Sequence, residues 1–572
     1  MSNRSWRRGS QTMKRNRCRI RRSPRLQLDL LEDRRLLSAD AVLDWNAVML
    51  EAEKNDFELG HTPDQVGPTR ASRAMAIVSI AMYDAVTAID RTYIPYLADM
   101  HAAPKTSMNA AVATAAHDTL VAMFPHQSST LDAELTTSLT GIAKGPAALG
   151  VELGRRVARA ELAARAHDGA DIALDYTCGD QPGQYRPDPL HPNQMALSPD
   201  WGGVTPFVMT SGSQFPAPPP PALTSQQYTD AFNQVKSLGG DGVSTPTTRT
   251  AEQTGIGIFW AYDGTPGLGT PPRLYNQITR VIAQQEHNTE VQNARLFAMV
   301  NVAMADAGIA AWATKFQYNF WRPITGIRES DLGNGPTGLG DGNPNTIGDP
   351  NWTPLGAPAD NGSGTDFTPP FPAYTSGHAT FGGAVFTTIR NFYGTDNIPF
   401  SFTSDEFNGE TRDSAGNVRP VVTRSFSTLS QAAQENAESR IYLGIHWQFD
   451  ADQGIAQGTQ VANYVFGHFS AATLSQQVLM ASESGKAALA ISHVTTPATT
   501  TTSAAVDQAL AYNDFSPCSS SADPIAVQGT RPLLQLVKTS RIWADLEKSL
   551  GTPKSSIEQA VLSKCLGTNL EF

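Results

Sequence analysis

A chain of 572 residues, 40% hydrophobic and 17% charged, is long and apolar enough to bury a large core, which excludes general disorder. Its formal net charge of −11 argues against general nucleic-acid binding, so any site for an anion has to be built locally. Gly 46 and Pro 38 imply many turns and long loops. The cysteines Cys18, Cys178, Cys518 and Cys565 have no CxxC spacing and make no zinc signature, and Cys518 and Cys565 are a candidate pair only in an exported protein.

In chain order, residues 1–39 carry twelve Lys/Arg against three Asp/Glu, so the acidity belongs to the body of the protein. They are expected to be a basic export or targeting segment, although they lack the apolar stretch of roughly 7–15 residues found in an ordinary secretory signal. Residues 40–170 read as helical, with apolar residues every three or four positions in RASRAMAIVSIAMYDAVTAID and MNAAVATAAHDTLVAMF. A Pro/Gly-rich loop covers 179–224 and ends in PAPPPPAL, an extended and semi-rigid run. A second helical block spans 273–320. Its apolar run Leu296 to Ala313 is interrupted by Asn301 and Asp306 and reads as a buried helix, and no segment reads as a membrane span.

The Gly/Pro/Asn/Asp tract 331–368 is expected to be a long functional loop too polar to pack. Helix resumes at 376–393, a β-capable insertion covers 396–427, and one long helix is expected over 428–467. Thr/Ala-rich TTPATTTTSAAV (495–506) looks like a linker. The expected layout is an N-terminal segment 1–39, a helical domain 40–490, a linker 491–506 and a C-terminal segment 507–572, in which SRIWADLEKSL suggests a docking helix. The fold class is mainly α, one large helical-bundle domain with long loops and a small β insertion.

Three segments carry matching chemistry. In KFQYNFWRP, Lys315 and Arg322 are seven apart, which predicts two cations on one helix face. The neighbouring Phe316, Tyr318, Phe320 and Trp321 argue against a solvated surface helix. In PFPAYTSGHATFGGA, Ser376-Gly377-His378 stands where a helix begins, offering unpaired backbone N–H groups and the positive end of the peptide dipole. In ESRIYLGIHWQFDAD, the spacings Ser439–His446 and His446–Asp450 suit one helix face, and a carboxylate one turn from a histidine fixes its tautomer. With Arg440, the set supplies two arginines, a lysine, two histidines and a helix N-terminus, a donor excess suited to one tetrahedral oxyanion.

The ordered set Lys315-x6-Arg322-Pro323, Ser376-Gly377-His378 and Ser439-Arg440-x5-His446-x3-Asp450 resembles the three-part signature of the superfamily that unites vanadium-dependent haloperoxidases with type 2 phosphatidic-acid phosphatases and bacterial acid phosphatases. Thr375 stands where that signature has proline. The segments 261–277, 312–328, 369–386 and 439–451 are similar to the soluble vanadium chloroperoxidase branch, a likeness that extends over residues 40 to about 480. The resemblance implies a helical bundle of that superfamily and vanadate, vanadium(V), as cofactor. Neither a haem-attachment motif nor a dinucleotide fingerprint is present, so no haem or flavin is expected.

It further implies roles. Lys315, Arg322 and Arg440 would neutralise the vanadate oxygens, and Ser376 and the Gly377 N–H would add hydrogen bonds. His446 would ligate vanadium, oriented by Asp450, and His378 would be the acid/base. Lys315 would also polarise the bound oxidant, Asp263 would support one arginine, and Trp312 and Phe371 would line a halide pocket. The implied reaction oxidises halide with hydrogen peroxide to hypohalous acid. The alternative on the same residues is phosphate-ester hydrolysis through a phosphohistidine at His446, with His378 protonating the leaving alcohol. The aromatic pair and the extended similarity favour the peroxidase. A catalytically silent envelope scaffold would have altered Lys315, His378 or His446, and none is altered. LLEDRRLLSAD (30–40) resembles an element at the N-termini of some bacterial envelope and exported proteins, which implies an extracellular or envelope location. The halide, the organic acceptor and the oligomeric state are not legible.

Overall fold

The computed structural model describes residues 40–58 and 60–491, with side chains to Phe469. Apart from the last residues of the final helix, all of this lies in one unit that ends at Glu483. The basic N-terminal segment, the Thr/Ala-rich linker, the C-terminal segment, Cys18, Cys518 and Cys565 lie outside the described residues. Cys178 is a half-buried free thiol.

Helices α1 (Ala41–Asp56), α2 (Gly67–Asp90), α3 (Met108–Met123), α4 (Ser128–Leu139) and α5 (Lys144–Arg165) form the first group. Their starts follow the sequence: the side chains of Asp40 and Ser107 cap α1 and α3 by accepting from Leu43 N and Ala110 N. Helices α3 and α5 meet closely because a side chain at Gly154 would come within 2.5 Å of the Ala111 carbonyl. After the 179–224 loop come α6 (Gln226–Leu238), α7 (Ala251–Phe259), α8 (Pro271–Gln285), α9 (Glu290–Tyr318) and α10 (Pro323–Glu329). The chain closes with α11 (Gly377–Tyr393), strands β1 (Phe400–Asn408) and β2 (Val421–Phe426), α12 (Leu429–Tyr442) and α13 (Gln448–Ile491). The two strands pair antiparallel as a hairpin, the small β insertion expected from the sequence.

Helix α9 is the axis of the molecule, packed between α2 and α11. By length and apolarity α2 and α9 could each cross a membrane, yet 89% and 94% of their most apolar windows are buried inside the protein. The polar residues that interrupt α9 are buried with partners. Asn301 bonds Ser79 and Asn276, and Asp306 accepts the N–H groups of Phe207, Val208 and Met209.

Three expectations need correction. Lys315 and Arg322 do not share a helix: α9 ends at Tyr318, Asn319 adopts φ 51° as its cap, and Arg322 is itself the cap of α10, whose first residue is Pro323. The expected long helix over 428–467 is two helices, broken by a turn through Gly444 at φ 74°, so His446 precedes α13 and Asp450 lies in its first turn. The polar tract 331–368 does pack, burying Trp352, Ala357 and Ala359 and bonding its polar groups both within the tract, as when Asp341 accepts from Asn343 N and Thr346, and to its neighbours, as when Asn343 Nδ2 donates to the Leu223 carbonyl.

Candidate active site

Each of these chain breaks places one group. Stopping α9 at Asn319 lets the chain turn back past Gly183, whose carbonyl accepts from Trp321 N, and leaves Arg322 fully buried. Its Nε donates to the Phe371 carbonyl at 2.8 Å and its Nη1 donates to the Ile445 carbonyl at 2.8 Å and to His446 Nε2 at 2.9 Å. His446 Nδ1 lies 2.8 Å from Asp450 Oδ2, a carboxylate oxygen that also accepts from Trp447 N. The tautomer follows: Nδ1 carries the proton and donates to Asp450, and Nε2 carries the lone pair.

The opening of α11 faces the same place. Ser376 is its cap, with Gly377 and His378 at the first two helical positions, whose N–H groups have no acceptor within the helix. Ser376 N donates to the Asp450 carbonyl at 2.9 Å, which ties α11 to the start of α13. His378 Nε2 donates to the Ala261 carbonyl at 2.7 Å, leaving Nδ1 as its lone-pair nitrogen. Arg440, near the end of α12, donates through Nη2 to both oxygens of Asp263 at 2.8 Å.

Lys315 is placed otherwise than expected. Its Nζ donates to the carbonyls of Pro372, Ala373 and Thr375, using all three of its N–H donors to hold the approach to Ser376. Trp312 and Phe371 stack with ring centroids 4.8 Å apart. Lys315 Nζ sits 5.0 Å from the Phe371 ring centre, and Trp312 packs about Gly377, where a Cβ would lie 3.6 Å from the indole.

The electrostatics are those of a buried cationic cluster. Burial, then the charge of Arg322, lowers Lys315 well below the usual lysine range, and burial lowers Arg322 to about 10. Burial, then Arg440, drives His378 well below the usual histidine value; burial, then Arg322 and Lys315, does the same to His446, so both rings are neutral. Burial raises Asp450 to about 7 and raises Asp263 against the pull of Arg440.

Within this cluster Arg322 Nη2, Arg440 Nε and Arg440 Nη1 are buried without a hydrogen-bond partner, as is the acceptor Asp450 Oδ1. A buried N–H left unpaired costs about 1–3 kcal/mol, and more on a charged group. Three guanidinium N–H donors, a helix N-terminus and a neutral imidazole lone pair together fit a tetrahedral oxyanion that also accepts one nitrogen ligand, which is the chemistry of vanadate. Among the described residues no group of three or more His, Cys, Asp or Glu could hold a metal cation.

Sequence reasoning missed several groups around the site. Tyr275 OH and Asn436 Nδ2 both donate to the His378 carbonyl, and Thr375 Oγ1 donates to Gln457, itself bonded to Thr314 of α9. Tyr185 is buried with its hydroxyl unpartnered, and burial, against the pull of the nearby Arg322 charge, keeps its phenol protonated. Thr375 reads in the sequence only as the replacement of a proline in the motif, and Tyr275, Asn436, Gln457 and Tyr185 have no local sequence signal because each reaches the site from a different stretch of chain.

Known proteins share the fold and part of the sequence. Residues 295–474 match the family described as the second helical-bundle domain of vanadium chloroperoxidase. The vanadium chloroperoxidase of Curvularia inaequalis is 41% identical over 307 residues, which cover 46% of this chain and 48% of that protein. The chain therefore spans about half the length of the curated relative it matches. Among solved structures, the first bacterial vanadium-dependent iodoperoxidase superposes with a TM-score of 0.60 at 24% identity, over 74% of this chain and 96% of that one. A holo-type bacterial vanadium-dependent chloroperoxidase superposes with a TM-score of 0.55 at 17% identity, over 72% of this chain and 95% of that one. The described chain has the fold of the vanadium-dependent haloperoxidases, and its residues 295–474 match the second helical-bundle domain of vanadium chloroperoxidase.

Proposed function

We propose that this protein is a vanadate-dependent haloperoxidase that oxidises halide with hydrogen peroxide to hypohalous acid. The observation that carries the reading is His446: its Nδ1 proton is held by Asp450, and its Nε2 lone pair meets the guanidinium of Arg322, in a cluster where Arg322 Nη2, Arg440 Nε and Arg440 Nη1 are buried without a partner. The 41% identity to a vanadium chloroperoxidase supports the same reading. Bound vanadate supplies a vanadium(V) Lewis acid that activates peroxide toward halide without changing oxidation state.

The protein's part is to hold and to move protons. Arg322 Nη2, Arg440 Nε and Nη1, the Ser376 hydroxyl and the Gly377 N–H hold the oxyanion, and Asp450 keeps the His446 lone pair aimed at it. His378, anchored through Nε2 on Ala261, presents Nδ1 for proton exchange. Lys315 acts chiefly by fixing the loop that carries Phe371 and Ser376 and by its charge. The Trp312–Phe371 pair beside Gly377 supplies the apolar wall against which a halide would rest. The N-terminal element fits an exported protein.

The test is titration of the apo-protein with orthovanadate by calorimetry. One vanadate per chain is expected. His446→Ala should abolish stable binding, whereas His378→Ala should bind within about tenfold of the parent and lose halogenation by about 10²-fold or more. Parent-like binding by His446→Ala would remove the ligand assignment.

A further inference from the structure

Strand β1 alternates in a way the sequence does not explain by packing alone. Phe400, Phe402, Ser404 and Glu406 all face inward at period two and are all buried. The first two pack on the core, with Phe402 5.9 Å from Phe259 in ring-edge contact. The second two are polar, and their bonds run to the end of α7. Ser404 Oγ donates to the Phe259 carbonyl at 2.7 Å, and Glu406 Oε1 accepts from Tyr262 N at 3.1 Å. Between them Asp405 N donates to Tyr262 OH at 2.8 Å. The hairpin therefore grips residues 259–262 at three points.

That segment is where both α12 and α11 are steered. Ala261 gives its carbonyl to His378 Nε2, Asp263 takes Arg440 Nη2, and Tyr262 between them adopts φ 47°, a conformation that a bulky residue holds only under constraint. The far side of Glu406 is secured in turn. Arg419 Nη1 donates to Glu406 Oε2 at 2.6 Å and to Asp360, and Asp360 accepts from Thr265 Oγ1 at 2.8 Å. Glu406 and Asp360 are fully buried and Arg419 nearly so.

We propose that the Glu406–Arg419 pair of the β hairpin is a positioning device for the active site: through the Tyr262 backbone it sets the Ala261 carbonyl that anchors His378 and the Asp263 carboxylate that aims Arg440. The inference rests on the reading of the site as an anion cradle. Glu406 touches no reacting atom. It works because a carboxylate accepts from Tyr262 N and Arg419 at once, whereas an amide of the same shape has one acceptor for two donors.

The experiment is a double-mutant cycle on the full chain, read as orthovanadate affinity by calorimetry, with inorganic phosphate as a second probe and thermal melting as the control for folding. Glu406→Gln is expected to weaken vanadate about tenfold or more in the parent background and to change it by less than about twofold in an Asp263→Asn background, where the link to Arg440 is already cut. Equal affinity for Glu406→Gln and parent overturns the proposal. So does a loss that is the same in both backgrounds, which would mark a merely structural role. If Glu406→Gln does not fold, Ser404→Ala, which removes the bond to the Phe259 carbonyl and the one that Ser404 Oγ accepts from Glu406 N, carries the same cycle with the same two outcomes. A parent that binds neither vanadate nor phosphate overturns the cradle reading and this proposal together; a parent that binds and a cycle that fails overturns the proposal alone.

Discussion

At the scale of single residues, the protein buries charge wherever a partner or a proton makes that tolerable. In the cradle the partner is the expected oxyanion, at Glu406 it is Arg419, and at Glu161 it is a proton. Glu161, 1% exposed on α5, faces the buried Asp84 of α2. Burial first, then the Asp84 charge, raises it to about 9 from 4.5. The folded state thus favours the protonated form. Its contribution to stability is fully present below pH 4.5 and is lost progressively as pH rises through about 9. Over that window each pH unit costs about 1.4 kcal/mol, because only the folded state still holds the proton. Glu161→Gln imitates the protonated carboxyl, so its melting temperature should fall by several degrees less than the parent's between pH 6 and pH 9. Parallel melting curves for the two proteins across that range would show that Glu161 is charged in the folded state. That Arg322, Ser376, His378, Arg440 and His446 belong to one constellation was legible from residue types and order. The partnering of Lys315 with three carbonyls was not, because nothing in KFQYNFWRP says that residues 372–375 fold back over the amine.

At the scale of elements, the junctions do the placing. The seven-residue spacings were read as helical faces, but Asn319 and Gly444 interrupt both helices in left-handed conformations. The groups converge through turns and not along a face. Periodicity reports apolar stripes and is silent about a single cap residue. Glycine explains the closest contact. A Cβ on Gly458 of α13 would lie 2.1 Å from the Thr380 carbonyl of α11, and one on Gly454 would lie 2.9 Å from the Ser376 carbonyl. This approach lets Asp450, at the head of α13, meet Ser376 N at 2.9 Å. Gly458→Ala should therefore destabilise by about 1–3 kcal/mol and weaken vanadate about tenfold or more, because the helices must separate at the site. Gly467→Ala, where a Cβ meets nothing within 4 Å, should leave vanadate affinity unchanged. Parent-like affinity in Gly458→Ala, or an equal loss in both variants, would show that this crossing does not set the site.

At the scale of the whole molecule, the mainly helical class, the β insertion and the order of the blocks followed from composition and periodicity. The packing of the 331–368 tract did not, since Trp352 and Ala357 find their cover on segments distant in sequence. The fold alone does not choose between chemistries that share it. His446 and the arginines serve either chemistry; what favours halide oxidation is the aromatic pair Trp312–Phe371 beside them, together with the 41% identity to a vanadium chloroperoxidase. The most direct test gives the apo-protein hydrogen peroxide and iodide, bromide or chloride, with and without orthovanadate, and follows halogenation of a phenol dye. Hydrolysis of an aryl phosphate without vanadate is measured in parallel. The account predicts halogenation that appears only with vanadate; phosphate-ester turnover without vanadate and no halogenation with any halide would contradict it.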